Sequence, residues 1–239
     1  MNEVKEIIEK ARMEKRTYLL ENEAKTIIRA YGIPVTKFKV ARNIDEAIEC
    51  AEKIGYPVVL KILSPDILHK SDAGGVKINL KNENEVKKAY EEIIENAKKF
   101  KADAKILGVL VQEYAPEPIA EVIVGMTKDP QFGPAIMFGL GGIFVEVFKD
   151  ISFRIAPLTE YDAKEMIREI KSYPILTGIR GKPPVDINKL VDIILKVSKL
   201  VTEYTEIDQL DLNPIFAYEK GAKTVDARII LSSSSQEEK

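Results

Sequence analysis

The sequence predicts an α/β (α+β) protein built as two lobes, and three observations carry that reading. In the first hundred or so residues, stretches with helical and with strand periodicity alternate, as a small α/β unit requires. Beyond residue 105 the pattern changes to successive strand-like runs whose connections are too short for a crossover helix. The length, 239 residues, suits one large or two small domains with a sizeable core.

Residues 3–13 and 22–31 have the apolar spacing of amphipathic helices, the second stopping at Gly32 before an extended run from Ile33 to Ala41. Asp45 is expected to cap a helix that runs through Ile54 and ends at Gly55. Val58 to Leu63 is aliphatic and β-branched between Gly-Tyr-Pro and Ser-Pro-Asp, the mark of a buried strand. Gly75 to Leu80 returns as a strand, and Asn82 caps a long helix that closes the first lobe near Phe100. The runs ILGVLVQEY, AEVIVGMTK and GPAIMFGLGG are expected to form an antiparallel meander, continued by residues 143–158. Thr159 with Asp162 reads as a capping box, Pro174 as the first turn of a short helix ended at Gly178, and Asp186 as the cap of a helix reaching Tyr204. Residues 210–230 read as a hairpin turning at Glu-Lys-Gly, and the polar tail SSSSQEEK as disordered.

Composition narrows the function. With 36 basic against 38 acidic residues the chain lacks both a nucleic-acid footprint and a polybasic membrane patch. Partners are therefore expected to be small anions or proteins. The single cysteine, Cys50, cannot form an internal disulfide, and the charged N-terminus is no secretion signal, so a cytoplasmic location is expected. Absence of Trp with abundant Lys, Glu and Ile is a bias found in hyperthermophile proteins.

The chemistry-bearing residues centre on residues 55–80. Lys61 sits in the apolar strand, where an ammonium needs a bound phosphate or a buried carboxylate unless it snorkels from an edge strand. Eight residues on lies His69, the only histidine, in Leu-His-Lys-Ser-Asp-Ala-Gly-Gly. Ser71, Asp72, Gly74 and Gly75 make this a loop of small residues that lets backbone approach a ligand closely. Gln112, Glu113 and Tyr114 end a strand, where freed backbone groups could meet an adenine edge and a carboxylate such as Glu121 could accept from ribose; a solvated hairpin end is the alternative. Gly139 to Gly142, including Gly141 and Gly142, could cradle phosphate or simply turn, and matches neither the GxGxxG nor the GxxxxGK[ST] pattern. Arg154, a cation in an apolar strand, calls for an anion as Lys61 does, and Arg180-Gly181-Lys182 forms a basic loop. Asp211, Asn213 and Asp226 lie on the two arms of the last hairpin and supply a hard-oxygen set suited to Mg²⁺, with a polar solvent face as the alternative.

In this order the residues resemble the ATP-grasp β subunits of ADP-forming acetyl-CoA synthetases, from about residue 15 to 231, with HKSDAGG the most specific piece. The resemblance implies an N-terminal helix over 1–14, lobes over 15–105 and 106–231 with the nucleotide between them, and a tail over 232–239. It implies conversion of acyl-CoA, ADP and phosphate to acid, CoA and ATP, reversibly, with a CoA-binding α subunit in an α2β2 assembly. His69 then matches the histidine that relays a phosphoryl group from a phosphohistidine on α to ADP. Lys61 matches the phosphate-binding lysine, Glu113 and Glu121 the adenine and ribose contacts, and Asp211, Asn213 and Asp226 the Mg²⁺ site. An ATP-grasp carboxylate–amine ligase without need of His69, or a non-catalytic nucleotide-binding subunit, are the competing classes.

Overall fold

The computed structural model describes residues 2–142, 149–179 and 181–233. Internal packing divides the chain into two compact units, one of residues 36–116 and a larger one that joins 1–35 to 117–239. This division by packing differs from the expected lobes over 15–105 and 106–231. Residues 15–35 belong to the larger unit because they bond to its last strands: Leu19 N–H donates to Ile229 O at 2.9 Å, Leu231 N–H to Thr17 O at 2.7 Å, and Val35 bridges Thr224.

Helices α1 (Asn2–Met13) and α2 (Glu21–Ala30) open the larger unit and bury Val4, Ile8, Ala11, Ala24, Ile27 and Ile28 in its core. Charges are buried with them, and each is paired. Glu23 accepts from both terminal nitrogens of Arg16 at 2.8 and 3.0 Å and from Leu20 N–H at 2.9 Å, so one carboxylate caps α2 and neutralises a guanidinium. Lys25 and Glu21 meet at 2.9 Å one turn apart, both essentially inaccessible.

The smaller unit holds β1 (Phe38–Ala41), α3 (Ile44–Ile54), β2 (Val58–Leu63), β3 (Val76–Leu80), α4 (Glu83–Phe100) and β4 (Gly108–Glu113). The cap of α3 is Asn43, whose side chain accepts from Glu46 N–H at 2.9 Å; the expected cap, Asp45, lies inside the first turn, where its charge still complements the helix dipole. Asn82 caps α4 as expected, accepting from Glu85 N–H at 3.0 Å. The sheet order is β1-β4-β2-β3, every pair antiparallel. The expected meander therefore fails at its first strand: β4 is inserted between β1 and β2 and does not pair with β5. Its residues Val109, Leu110 and Val111 are buried on both faces, which an edge position cannot supply. Gly108 admits the chain here, since at φ +136° a Cβ would lie 2.2 Å from Ala41 O.

In the larger unit, β5 (Ala120–Asp129), β6 (Gly133–Leu140), β7 (Ile151–Ile155), β8 (Ile207–Ala217), β9 (Ala222–Thr224) and β10 (Ala227–Leu231) form a six-stranded sheet of order β10-β8-β5-β6-β7, with β9 also on β8. Helices α5 (Glu160–Glu169), α6 (Tyr173–Leu176) and α7 (Ile187–Glu203) complete it. Thr159 and Asp162 close the expected capping box, and Asp186 accepts from Lys189 N–H at 3.0 Å at the start of α7. Val122, Val124, Ile136, Phe138, Leu210 and Leu212 share one core with Met166, Ile167, Leu190 and Ile194 of the helices. The last hairpin forms, but its second arm is split into β9 and β10 where Pro214, which brings no N–H to the ladder, stands opposite. The expected continuation of the sheet over 143–148 and the tail over 234–239 lie outside the described residues. No helix among the described residues is long and apolar enough to cross a membrane.

Truncation of Arg16 leaves the Glu23 carboxylate buried with its cap bond from Leu20 N–H but without the guanidinium that neutralised it. Arg16→Ala is expected to cost about 3–5 kcal/mol of unfolding free energy. Denaturant unfolding compared with the wild-type protein measures it, and a loss under about 1 kcal/mol overturns the assignment of this pair as a buried ion pair.

Candidate active site

Strand β2 presents its residues alternately to two faces. Val58, Leu60 and Ile62 enter the core with Ala47 and Ala51 of α3 and Val86, Ala89 and Ile93 of α4, so Val59, Lys61 and Leu63 point to the opposite face. Lys61 is only 6% exposed there. The register sets Lys61 against Leu110 and Val59 against Gln112, which places Lys61 and the buried Gln112 on one face at diagonal positions of neighbouring strands. The expected lysine in a covered face is thus present, and Gln112 is beside it. The backbone of the next two residues differs from expectation: Glu113 N–H donates to Lys37 O at 2.9 Å and Tyr114 N–H to Pro57 O at 3.1 Å, so neither amide is left for an adenine edge. Tyr114 is exposed at its side chain.

His69 opens a hydrogen-bonded turn over residues 70–74. His69 O accepts from Ala73 N–H at 3.2 Å, Ser71 O from Gly74 N–H at 3.0 Å and Lys70 O from Gly75 N–H at 2.7 Å. The last two bonds, with Gly74 at φ +59°, make a Schellman termination. His69, Ser71 and Asp72 are exposed on this turn, whereas Ile67 before it and Ala73 within it are anchored in the core.

In the larger unit the face opposite the helices carries Asp211 and, two residues on, the exposed Asn213. Asp211 pairs across the ladders with Gly125 on one side and Arg228 on the other. Its carboxyl is pushed up to about 6, mainly by burial and then by the charge of Asp226, with Arg228 opposing. Asp211 Oδ1 is buried without a hydrogen-bond donor. Asp226 accepts from Ala227 N–H at 2.8 Å through Oδ1. Two carboxylates near enough to repel, one with an orphaned oxygen, together with an amide oxygen, fit a hard cation that keeps part of its coordination for water or phosphate, as Mg²⁺ does. No group of three or more His, Cys, Asp or Glu able to hold a metal occurs among the described residues. A cavity of about 360 Å³ lies on the same face, lined by Gly125, Met137, Phe153, Gln209, Asp211 and Arg228.

Glu121 and Gly141 are neighbours: Gly141 N–H donates to Glu121 O at 2.8 Å, and a Cβ on Gly141 would lie 3.3 Å from that of Glu121. Gly139 and Leu140 belong to β6, so the glycine turn begins later than expected, at Gly141 and at Gly142 with φ +62°. Arg154 has its anion within the protein. Its guanidinium takes Glu169 of α5 through both oxygens, one bond at 2.9 Å, on the sheet face opposite Asp211. Glu169 is held below the usual carboxylate range by that pair. Of the basic loop, Arg180 lies outside the described residues.

The ATP-grasp domain model matches residues 10–231. The β subunit of ADP-forming acetate–CoA ligase I of Pyrococcus furiosus is 60% identical over 227 residues, covering 95% of this chain and 97% of that one. The chain belongs to the ATP-grasp family of ADP-forming acetate–CoA ligase β subunits. A chain of acetyl-coenzyme A synthetase 1 of Ca. Korarchaeum cryptofilum, in complex with coenzyme A and Ca-AMPCP, matches this ATP-grasp chain with a TM-score of 0.93 at 54% identity, over 95% of this chain and 99% of that one. In ADP-forming acetate–CoA ligase I of Archaeoglobus fulgidus, the stretch 51% identical to 95% of this chain is 33% of a longer polypeptide. ATP citrate lyase of Methanothrix soehngenii shares the fold alone, at 15% identity and a TM-score of 0.56.

Sequence reasoning missed Gly125, Met137, Phe153 and Arg228 around Asp211. A glycine in mid-strand, which marks a close approach or a hollow, was the one available signal. The raised carboxyl of Asp211 has a consequence for stability. In the metal-free protein the unfolded Asp211 ionises near 3.8 and the folded one near 6, so stability falls as pH rises between these values and levels off above them. The gap corresponds to about 3 kcal/mol, so Asp211→Asn is expected to raise stability at pH 7 by up to that amount and to flatten the slope between pH 4 and 6. Thermal or denaturant melts across that range without metal check this; a variant less stable than wild type at pH 7 contradicts it.

Proposed function

We propose that the chain is the nucleotide-binding subunit of an ADP-forming acyl-CoA synthetase and that His69 relays a phosphoryl group to ADP. The observation that carries the reading is the placement of the only histidine, exposed on a glycine-terminated turn that directly follows the strand of buried Lys61. A neutral imidazole is a competent nucleophile at physiological pH. Its ring nitrogen attacks the incoming phosphorus as the bond to the donor breaks, giving a phosphoramidate. A terminal oxygen of ADP then attacks, the P–N bond breaks, and ATP leaves with the imidazole restored. Splitting the transfer in this way replaces one long passage by two short ones. Lys61 supplies positive charge for the phosphates, and Gln112, Glu113, Tyr114 and Glu121 are the candidate contacts for base and ribose. Gly141 and Gly142 offer backbone for phosphate. Asp211, Asn213 and Asp226 would hold Mg²⁺, which when bound neutralises the charge of the phosphate oxygens.

The donor is proposed to be a phosphohistidine on a separate CoA-binding subunit, in an α2β2 assembly. Two findings support a separate partner chain: the β-subunit naming of the Pyrococcus furiosus relatives, and the longer Archaeoglobus fulgidus ligases of which the matching stretch is about a third. The Korarchaeum cryptofilum synthetase, described with Mg-AMPPCP and a phosphohistidine segment pointing towards the nucleotide binding site, supports the same chemistry.

Incubation with Mg²⁺ and γ-labelled ATP is expected to give an acid-labile, base-stable label that His69→Asn abolishes while nucleotide affinity stays within a few fold. Equal labelling of wild type and variant removes His69 from the path. Independently, Asp226→Asn is expected to weaken Mg²⁺-dependent nucleotide binding and to lower turnover by about a hundredfold or more. A titration in which the variant keeps the wild-type Mg²⁺ dependence moves the metal elsewhere.

A further inference from the structure

The turn bearing His69 is fixed at both ends by groups with no counterpart among the nucleotide and metal residues. On its C-terminal side, Asn96 of α4 donates from Nδ2 to Gly74 O at 3.2 Å. The fit is close: a Cβ on Gly74 would lie 2.8 Å from that nitrogen, and one on Gly75 would lie 2.5 Å from Ile62 Cγ2 and 3.0 Å from Lys70 O. On its N-terminal side, the Asp66 carboxylate accepts from Lys105 N–H at 2.7 Å and from Lys101 Nζ at 3.2 Å. Those two bonds, the backbone one first, hold Asp66 below its ordinary carboxylate range. Asp66 N–H in turn donates to Ser64 Oγ at 3.1 Å. Both anchors thus come from α4 or from the segment just after it, and between them Ile67 and Ala73 are sunk in the core of the smaller unit. What is left exposed is a stirrup of Leu68, His69, Ser71 and Asp72, with its feet tied and its tip presented.

We propose that Asn96 and Asp66 are positioning residues for His69, and that the turn they hold works as a fixed station rather than as a moving arm. The proposal rests on the relay reading given above. A structural role alone asks only that the loop be packed, which Ile67 and Ala73 already secure. Two polar ties that reach across to one helix and its extension define in addition where the histidine's own backbone lies. In-line transfer between two donors and acceptors is sensitive to that placement, because a displacement of about 1 Å can cost on the order of a hundredfold in rate.

The test uses the full chain. Asn96→Asp keeps the shape but turns a donor into an acceptor facing Gly74 O; Asp66→Ala removes both N-terminal bonds; Asp66→Asn keeps an acceptor for Lys105 N–H. Rapid-quench labelling of His69 from γ-labelled ATP is expected to slow by about ten- to a hundredfold in Asn96→Asp and Asp66→Ala, with ATP affinity within about twofold of wild type, and to recover to within about threefold in Asp66→Asn. Hydrogen exchange at the amides of Ala73, Gly74 and Gly75 is expected to speed up at least about tenfold in the two slow variants. Labelling within twofold of wild type, affinity lost in step with rate, or Asp66→Asn as slow as Asp66→Ala each overturns the proposal. Should His69→Asn label like wild type, the relay reading fails and not the clamp; the exchange arm then decides the clamp alone, unchanged protection overturning it. If Asn96→Asp does not fold, Asn96→Ala replaces it in every arm.

Discussion

The antiparallel pairing of β2 with β4 is the constraint on which the smaller unit's chemistry depends. Because side chains alternate along a strand, the register that joins Lys61 to Leu110 sends Lys61 and Gln112 to one face and Val58, Leu60 and Ile62 to the helices. A slip of one residue would drive an ammonium into the packed core of α3 and α4, where no anion waits, at a cost of several kcal/mol. The lysine therefore specifies the register it is placed by. Everything downstream in the chain inherits the choice, since β2 leads without a break into the turn of His69.

Charge is handled in two ways in this molecule, and the difference sorts structural groups from candidate site groups. Arg16 with Glu23, Lys25 with Glu21 and Arg154 with Glu169 are opposite charges matched within the protein. Burial of the first two pairs is compensated on the spot, Arg154 and Glu169 neutralise each other while partly exposed, and nothing further is called for. Asp211 and Asp226 are like charges brought close, with Arg228 opposing the shift of Asp211 and one Asp211 carboxylate oxygen left without a donor. Such an arrangement is costly in the absence of a ligand and is the kind found where a protein is built to receive one. Arg154 shows the value of the comparison. In sequence it was indistinguishable from Lys61, a cation in an apolar strand; in space it looks to α5 and has its carboxylate already.

Most signals in the sequence whose cause was local were read with success. The caps at Asn82, Thr159 and Asp186, the stop at Gly55 and the strand Val58–Leu63 each follow from residues within a few positions of one another. The error at Asp45 is of the same kind, since two good capping residues lie two apart and only the backbone at Asn43 is extended. What could not be read was pairing at long range. Nothing near β4 says that it joins β1 and β2 instead of β5, because an apolar run of its length fits an edge hairpin and a buried centre alike. The division by packing at residues 35 and 116 was out of reach for that reason: residues 15–35 meet residues near 224–231 only in the folded chain. Of the candidate site, the residue types on the hairpin and in the histidine turn were legible. The amides of Glu113 and Tyr114, the hollow over Gly125 and the partner of Arg154 were not, since each depends on a strand or helix distant in sequence.

The discontinuous larger unit also orders events at the ribosome. Its first segment is made early, but Thr17 and Leu19 find their backbone partners at Leu231 and Ile229, so the sheet edge they complete cannot exist until the chain has been extended that far. The smaller unit is an unbroken stretch, residues 36–116, and has all its strands and both its helices once that stretch has emerged. At translation speeds of about 5–20 residues per second, the interval between the two is on the order of ten seconds. During it Ile27 and Ile28 of α2 lack strand β10, whose Ala227, Ile229 and Leu231 share their core.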